Sequence, residues 1–280
     1  MEKLRCLLGM LDDPNENAAV SVMAELLRYG QQLQPLLGEM QEAENKLLRK
    51  RIQQLQTILH LQKRRKDFLQ KISGIPLDLT SGLIELHLLW FDRDTPESLQ
   101  DMLQTFQVVA ANNQLRNLEE LGSFMARNGF ALPPPEEALE PENYCIGPIL
   151  EDRIGADVML CTLAMLAGLD AGLELALVRL GGRFAIVNSV GEMISPANDW
   201  LLDRNNRLQQ GDFWADPRMV LRYASLMLFL YAVGSDNFRY IHTIAHALDG
   251  GEQELLDFLP YPYNGQTPEE KKHEDTTVKN

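Results

Sequence analysis

Three cysteines and five histidines are the residues of this 280-residue chain best suited to nucleophilic or metal chemistry. Thiol chemistry needs a thiolate, and a thiolate needs a helix N-terminus, a cation or an imidazole beside it. Cys6, Cys145 and Cys161 stand apart, none in a C-x-x-C pair, and the odd number leaves one over under full pairing. That usage fits free thiols in a reducing compartment. Cys161 has Val158, Leu160, Ala164 and Met165 as helical neighbours. Apolar surroundings raise a thiol pKa, so Cys161 reads as a buried structural cysteine, with a relocated nucleophile as the alternative. Cys145 is the second fallback nucleophile, for a cysteine hydrolase or acyltransferase drawing its histidine from another segment.

His242 and His246 are four apart on a helical stretch, the spacing of paired metal ligands. The stretch reads His-Thr-Ile-Ala-His, without the glutamate of the zinc proteases, and no third ligand stands at a diagnostic spacing. Two half-exposed helix residues, and no metal, are the expectation. His60 and His87 occur singly in helical segments and read as packing or surface residues. The chain has no phosphate loop, dinucleotide fingerprint or serine elbow, so no cofactor is expected.

Positioning such groups falls to a chain that is 45% hydrophobic and 24% charged, ordinary for a globular protein. Its net charge of −14 argues against a general nucleic-acid binder, because phosphate contacts need basic surface. The charge is unevenly placed. Residues 46–71 carry nine basic residues and one acid, Asp67, so this segment is +8 and the remainder −22. Lys63, Arg64, Arg65 and Lys66 are the densest part and could contact an anion or nucleic acid, although no aromatics interleave with the first cluster, Lys46–Arg51. The plainer reading is a solvated helix face docking onto an acidic body. The most apolar runs, Val158–Leu169 and Ser225–Val233, are well short of the roughly 20 residues that span a bilayer. The N-terminal residues lack a signal-peptide pattern, so a cytoplasmic protein with no membrane contact is expected.

Hydrophobic periodicity predicts helices over most of the chain. Leu4, Leu7, Leu8 and Leu11 share one face; Asp12-Asp13-Pro14 reads as an acidic cap with proline at the next helix start. Further helices are expected to end near Gly30, over Gln31–Met40, and on to about Ile72. Residues 76–128 are again helical, from Pro76, with Thr95-Pro96-Glu97-Ser98 as a start signal. Pro133-Pro134-Pro135 is the strongest linker signal. After it come an apolar helix (Asp157–Leu169) and strands over Leu173–Leu180, Phe184–Asn188 and a third ending near Ile194. Gly181-Gly182-Arg183 separates the first two. Two closing helices lie at about 217–233 and 237–248.

The fold class is thus α+β, predominantly α, with a small antiparallel sheet. The expected organisation is 1–73 helical, similar to HEAT repeats; 74–132 a helical extension packing on the core; 133–215 the core with the sheet; 216–260 a helical pair with tetratricopeptide-like spacing; and 261–280 a polar, disordered tail.

The block Asn143-Tyr144-Cys145 through Ile149-Leu150-Glu151-Asp152-Arg153-Ile154-Gly155, and on to Trp200, resembles the SirB-like bacterial branch of the transglutaminase-like superfamily. There a helical N-terminal region precedes the core and tetratricopeptide-like helices follow, an order that Arg218–Leu248 would close here. Active members of the superfamily use a cysteine at a helix N-terminus, a histidine on the next strand pair and an acid on the following strand. The resemblance puts Asp157 near the nucleophile position, Arg183 at the base position (Gly181-Gly182-Arg183-Phe184 aligning with proline-glycine-histidine-phenylalanine) and Ser195 at the acid position. Arginine stays protonated and cannot act as the base. Asp157 is expected to cap its helix. Arg183 is expected to pair with Asp157, Asp199 or another acid, or to bind an anionic ligand. The resemblance therefore implies a pseudoenzyme without turnover, a scaffold binding protein or peptide. A cysteine hydrolase, and anion binding by the basic helix, stand as alternatives.

Overall fold

The computed structural model describes residues 2–73, 78–204, 208–209, 212–235 and 237–248. The expected tail, 261–280, and the expected helix start at Pro76 lie outside them. The described residues form eleven α-helices and one three-stranded antiparallel sheet in the order β1-β2-β3, an α+β protein in which helix predominates. The described residues divide into two compact units, one within 2–64 and one within 65–248.

The first unit contains α1 (Glu2–Gly9), α2 (Glu16–Leu27), α3 (Gln34–Glu39) and most of α4 (Lys46–Ser73). Leu8, Leu11, Leu26, Leu33, Leu37, Ile52, Leu55 and Leu59 bury one leucine-rich core. The cap of α2 is Asn15, whose side chain accepts from the N–H groups of Asn17 and Ala18. The expectation of an acidic cap with proline inside the helix fails because Asp13 instead accepts from the Asn15 N–H (2.8 Å), leaving Pro14 outside. Asn45 caps α4 in the same way, through Leu47 and Leu48.

The second unit is organised around α9 (Asp157–Asp170). Ten of its residues are buried, on every side of the helix. A helix without a polar face belongs at the centre of a core. It packs against α6 (Pro96–Asn112), α7 (Leu118–Arg127), α10 (Arg218–Gly234), β1 (Leu175–Leu180) and β2 (Arg183–Asn188). Helix α5 (Leu79–Trp90) starts at its cap Asp78, and α8 (Ile146–Asp152) is a short helix with no counterpart in the periodicity reading. Helices α10 and α11 (Phe238–Leu248) pair, and β3 (Met193–Ile194) closes the sheet.

The β1–β2 hairpin turns on two residues. Leu180 pairs with Arg183, and Gly181 and Gly182 have φ of +55° and +84°. Two successive positive φ values make the tight turn whose twist suits a hairpin, and glycine reaches them without steric cost. Register then follows. Arg179 lies opposite Phe184, and Leu177 opposite Ile186. Side chains alternate between faces, so Leu175, Leu177, Arg179, Phe184 and Ile186 share one face. That face meets α9: a Cβ on Gly168 would come within 2.3 Å of Leu175 Cδ1. The opposite face carries Val178, Ala185 and Val187, a small separate cluster with Met193. Among the described residues no helix is long and apolar enough to cross a membrane.

Candidate functional site

The N-terminus of α9 meets the start of β2. Asp157 is the first residue of the helix rather than its cap; the cap position is Ala156. The Asp157 carboxylate accepts from its neighbour Val158 N–H at 2.8 Å and from Phe184 N–H at 3.1 Å. It fastens the helix to the strand instead of capping it. The Phe184 N–H faces away from the β1 ladder and has no strand partner of its own there, which is why a side chain serves.

Arg183, the residue just before, is exposed and forms no ion pair among the described residues. The expected pairing with Asp157 or Asp199 is absent for a geometric reason. Strand alternation gives Arg183 the face of Ala185 and Val187, away from α9. Ser195 follows β3 directly, half-buried, and its carbonyl accepts from Trp200 N–H at 2.9 Å. The three positions thus surround β2 without converging.

The cation on the α9 side of the sheet is Arg179. Its guanidinium lies over three rings at once: 5.5 Å from the centroid of Phe184, 6.0 Å from Trp214 and 5.4 Å from Tyr223. The rings also meet edge-on, Phe184 with Trp214 at 4.6 Å, Phe184 with Tyr223 at 5.3 Å and Trp214 with Tyr223 at 5.6 Å. Three elements supply them. Phe184 comes from β2, Tyr223 from α10, and Trp214 from a segment tied to β1 through its N–H to the Leu177 carbonyl at 2.8 Å. Phe184 is fully buried, Trp214 and Tyr223 are half-buried, and Arg179 is exposed. Tyr144 is buried close by; burial first, then the negative fields of Tyr223 and Asp157, push its hydroxyl well above the ordinary tyrosine range.

The two buried cysteines lack what a nucleophile needs. Burial pushes the Cys161 thiol well up, and Asp157 adds to it; Cys145 is raised by burial, then by Glu142 and Asp94. Cys6 is exposed, and all three thiols are free. Gly147, two residues after Cys145, donates its N–H to His87 Nδ1 at 3.3 Å. The other ring nitrogen, Nε2, is 2.8 Å from Asp94 Oδ2. This assigns a neutral ring protonated on Nε2, with both nitrogens committed and none left to deprotonate a thiol. Burial lowers the His87 pKa against the opposing pull of Asp94. His87 is thus a core residue tying α5 to α8.

Helix α4 does not present a uniformly solvated basic face. Arg51 is 2% exposed and donates to the Leu11 carbonyl at 2.7 Å and to the Asp13 carbonyl, with Glu16 as its ion-pair partner. A guanidinium at the end of a helical turn satisfies carbonyls that the turn itself leaves open. Arg64 donates to His60 at 3.3 Å, and Arg65 lies 3.1 Å from Nδ1 of His242. Arginine can only donate, so His242 accepts there as the neutral imidazole. Lys63 and Lys66 are the exposed members of the tetrad. His242 is buried, not half-exposed as expected, because it packs where α11 meets that guanidinium. The His246 side chain lies outside the described residues. Among those described, no cluster of three or more histidine, cysteine or acidic residues could hold a metal.

Sequence reasoning missed the Arg179 cluster and the His87–Asp94 pair. Gly181-Gly182, read as a two-residue turn, would have placed Arg179 opposite Phe184. Nothing local connects either residue to Trp214 or Tyr223. Comparison with family models, curated proteins and solved structures returns no match for this chain.

Proposed function

We propose that this chain is a noncatalytic, transglutaminase-like protein of the SirB-like kind that binds a protein or peptide at its remnant cleft. The observation that carries the reading is the state of Asp157. At the position that the resemblance gives to the nucleophile stands a carboxylate whose oxygens serve two backbone N–H groups. Among the described residues the two core cysteines are poor substitutes: Cys145 and Cys161 are buried with their thiols held protonated, and both nitrogens of His87 are engaged. Arg183 cannot take a proton at any working pH. Free thiols fit a reducing, cytoplasmic setting. One buried ring, two half-buried rings and the exposed Arg179 give the α9 side of the sheet recognition chemistry in place of reaction chemistry, and the exposed Arg183 adds a cation on the other face.

The test is acylation. A Cys6→Ser variant treated with an activated thioester or nitrophenyl ester should show no burst and no acylated cysteine by mass spectrometry. Acylation of Cys145 or Cys161 in the folded protein overturns the reading in favour of a cysteine acyltransferase. Capture of peptide ligands by wild type, weakened by Arg183→Ala, is the accompanying expectation.

A further inference from the structure

We infer that Phe184, Trp214 and Tyr223 form a recognition site for an arginine side chain of a partner peptide, and that Arg179 is its resident occupant in the free protein. The inference deepens the binding reading above and rests on it.

The arrangement has the features of a cation site. Three rings from three separate elements converge, and a positive group sits 5.4 to 6.0 Å from every centroid, within the distance at which ring quadrupoles attract a cation. A carboxylate stands at the root of the site, because Asp157 holds the backbone of Phe184 itself. The whole chain carries −14, so a basic segment is favoured in approach.

What distinguishes Arg179 from a structural arginine is how it is held. Arg51, the structural arginine of the first unit, is 2% exposed and has carbonyl and carboxylate partners. Arg179 is exposed, and among the described residues its guanidinium has no acid or carbonyl partner, only the rings. Its N–H donors make no hydrogen bond among the described residues. A group held by one weak, open face exchanges for an equivalent group without leaving a buried donor unsatisfied, which is the step that makes exchange costly elsewhere. The planar guanidinium is also the cation best matched to stacking on aromatic faces, whereas an ammonium is a compact, strongly hydrated charge. The occupant in place therefore specifies the ligand class. An occupant tethered two residues from the hairpin turn competes at high effective concentration and reduces apparent affinity by the fraction of time that it fills the site.

The experiment uses the full chain with its three tryptophan indoles labelled with ¹⁵N, Trp214 being assigned by the signal lost in Trp214→Phe. Wild type and Arg179→Ala are titrated with N-acetyl-arginine methylamide, with the lysine counterpart, and with the neutral citrulline counterpart. The expected result is a Trp214 shift by the arginine compound at about tenfold lower concentration in Arg179→Ala than in wild type. Lysine should act more weakly and citrulline should have no effect. If Arg179→Ala gives a poorly dispersed spectrum, Arg179→Met keeps the stem and serves instead. An intact spectrum with no Trp214 shift in the substituted protein overturns the inference, as does an equal response to citrulline, which would make the site merely apolar. Neither outcome touches the acylation test, so failure of this site and failure of the noncatalytic reading are separable.

Discussion

Asp157 and Phe184 are joined across 27 positions of sequence by a single hydrogen bond of 3.1 Å, from the strand's first buried N–H to the helix's first carboxylate. Much of the second unit's geometry depends on it, since it sets how the end of α9 meets the hairpin that carries Arg179.

Removing that acceptor should be costly. Asp157→Ala leaves the Phe184 N–H without a partner beside a ring that is fully buried, and such losses run to about 1–3 kcal/mol. Asp157→Asn keeps one oxygen and should lose less. Urea denaturation is the measurement, with the midpoint falling and the slope unchanged. Equal stability of Asp157→Ala and wild type would show that the bond contributes nothing.

Thiol reactivity should divide one to two. Cys6 is exposed, whereas Cys145 and Cys161 are buried with raised pKa values. A disulfide reagent at pH 8 should therefore titrate one cysteine in the native protein and all three in denaturant. Cys6→Ser should abolish the native reaction. Fast labelling of a second thiol would contradict the burial.

Stability should fall on acidification through His87. Its folded pKa lies below the ordinary value, so the unfolded chain binds the proton more readily and stability rises with pH in that window. The contribution is complete above the unfolded value of about 6.5 and is lost as pH falls from there through the lower folded value. Protonation would also put a proton on Nδ1, where the Gly147 N–H now donates. His87→Gln should flatten the dependence of the urea midpoint between neutral and mildly acidic pH; an unchanged slope refutes it.

The basic residues of α4 should separate into two classes. Arg51→Met strips charge-assisted donors from the Leu11 and Asp13 carbonyls, a loss of about 1.5–3 kcal/mol for bonds of this kind. Lys63→Ala with Lys66→Ala removes two exposed charges and should stay within about 0.5 kcal/mol of wild type. Thermal denaturation of both variants decides it.

Much of the fold could be read from the residues because its signals are local. The Leu stripes, the Thr95 cap, the glycine pair of the hairpin and the all-apolar run of α9 each state an element within a few positions. Asn15 and Asn45 cap their helices from within polar runs where neighbouring residues compete for the role. The site was less legible. Asp157 and Phe184 are placed by a side chain reaching for a strand N–H, which no periodicity records. The resemblance gives Arg183 the base position, yet strand alternation turns it off the helix face and puts Arg179 there instead. His87 and Asp94 lie seven apart and meet because α5 ends between them, with Gly147 of α8 completing the set.

Helix α9 also constrains the order in which the chain can bury its apolar surface. It is apolar on all sides, and β1, β2 and α10, three of the elements that cover it, come later in sequence. On the ribosome it is made before they are. Until α10 has been made, the nascent chain presents a sticky helix with part of its wrapping still to come, which makes the interval between α9 and α10 the point in synthesis where a chaperone holdase has most to protect.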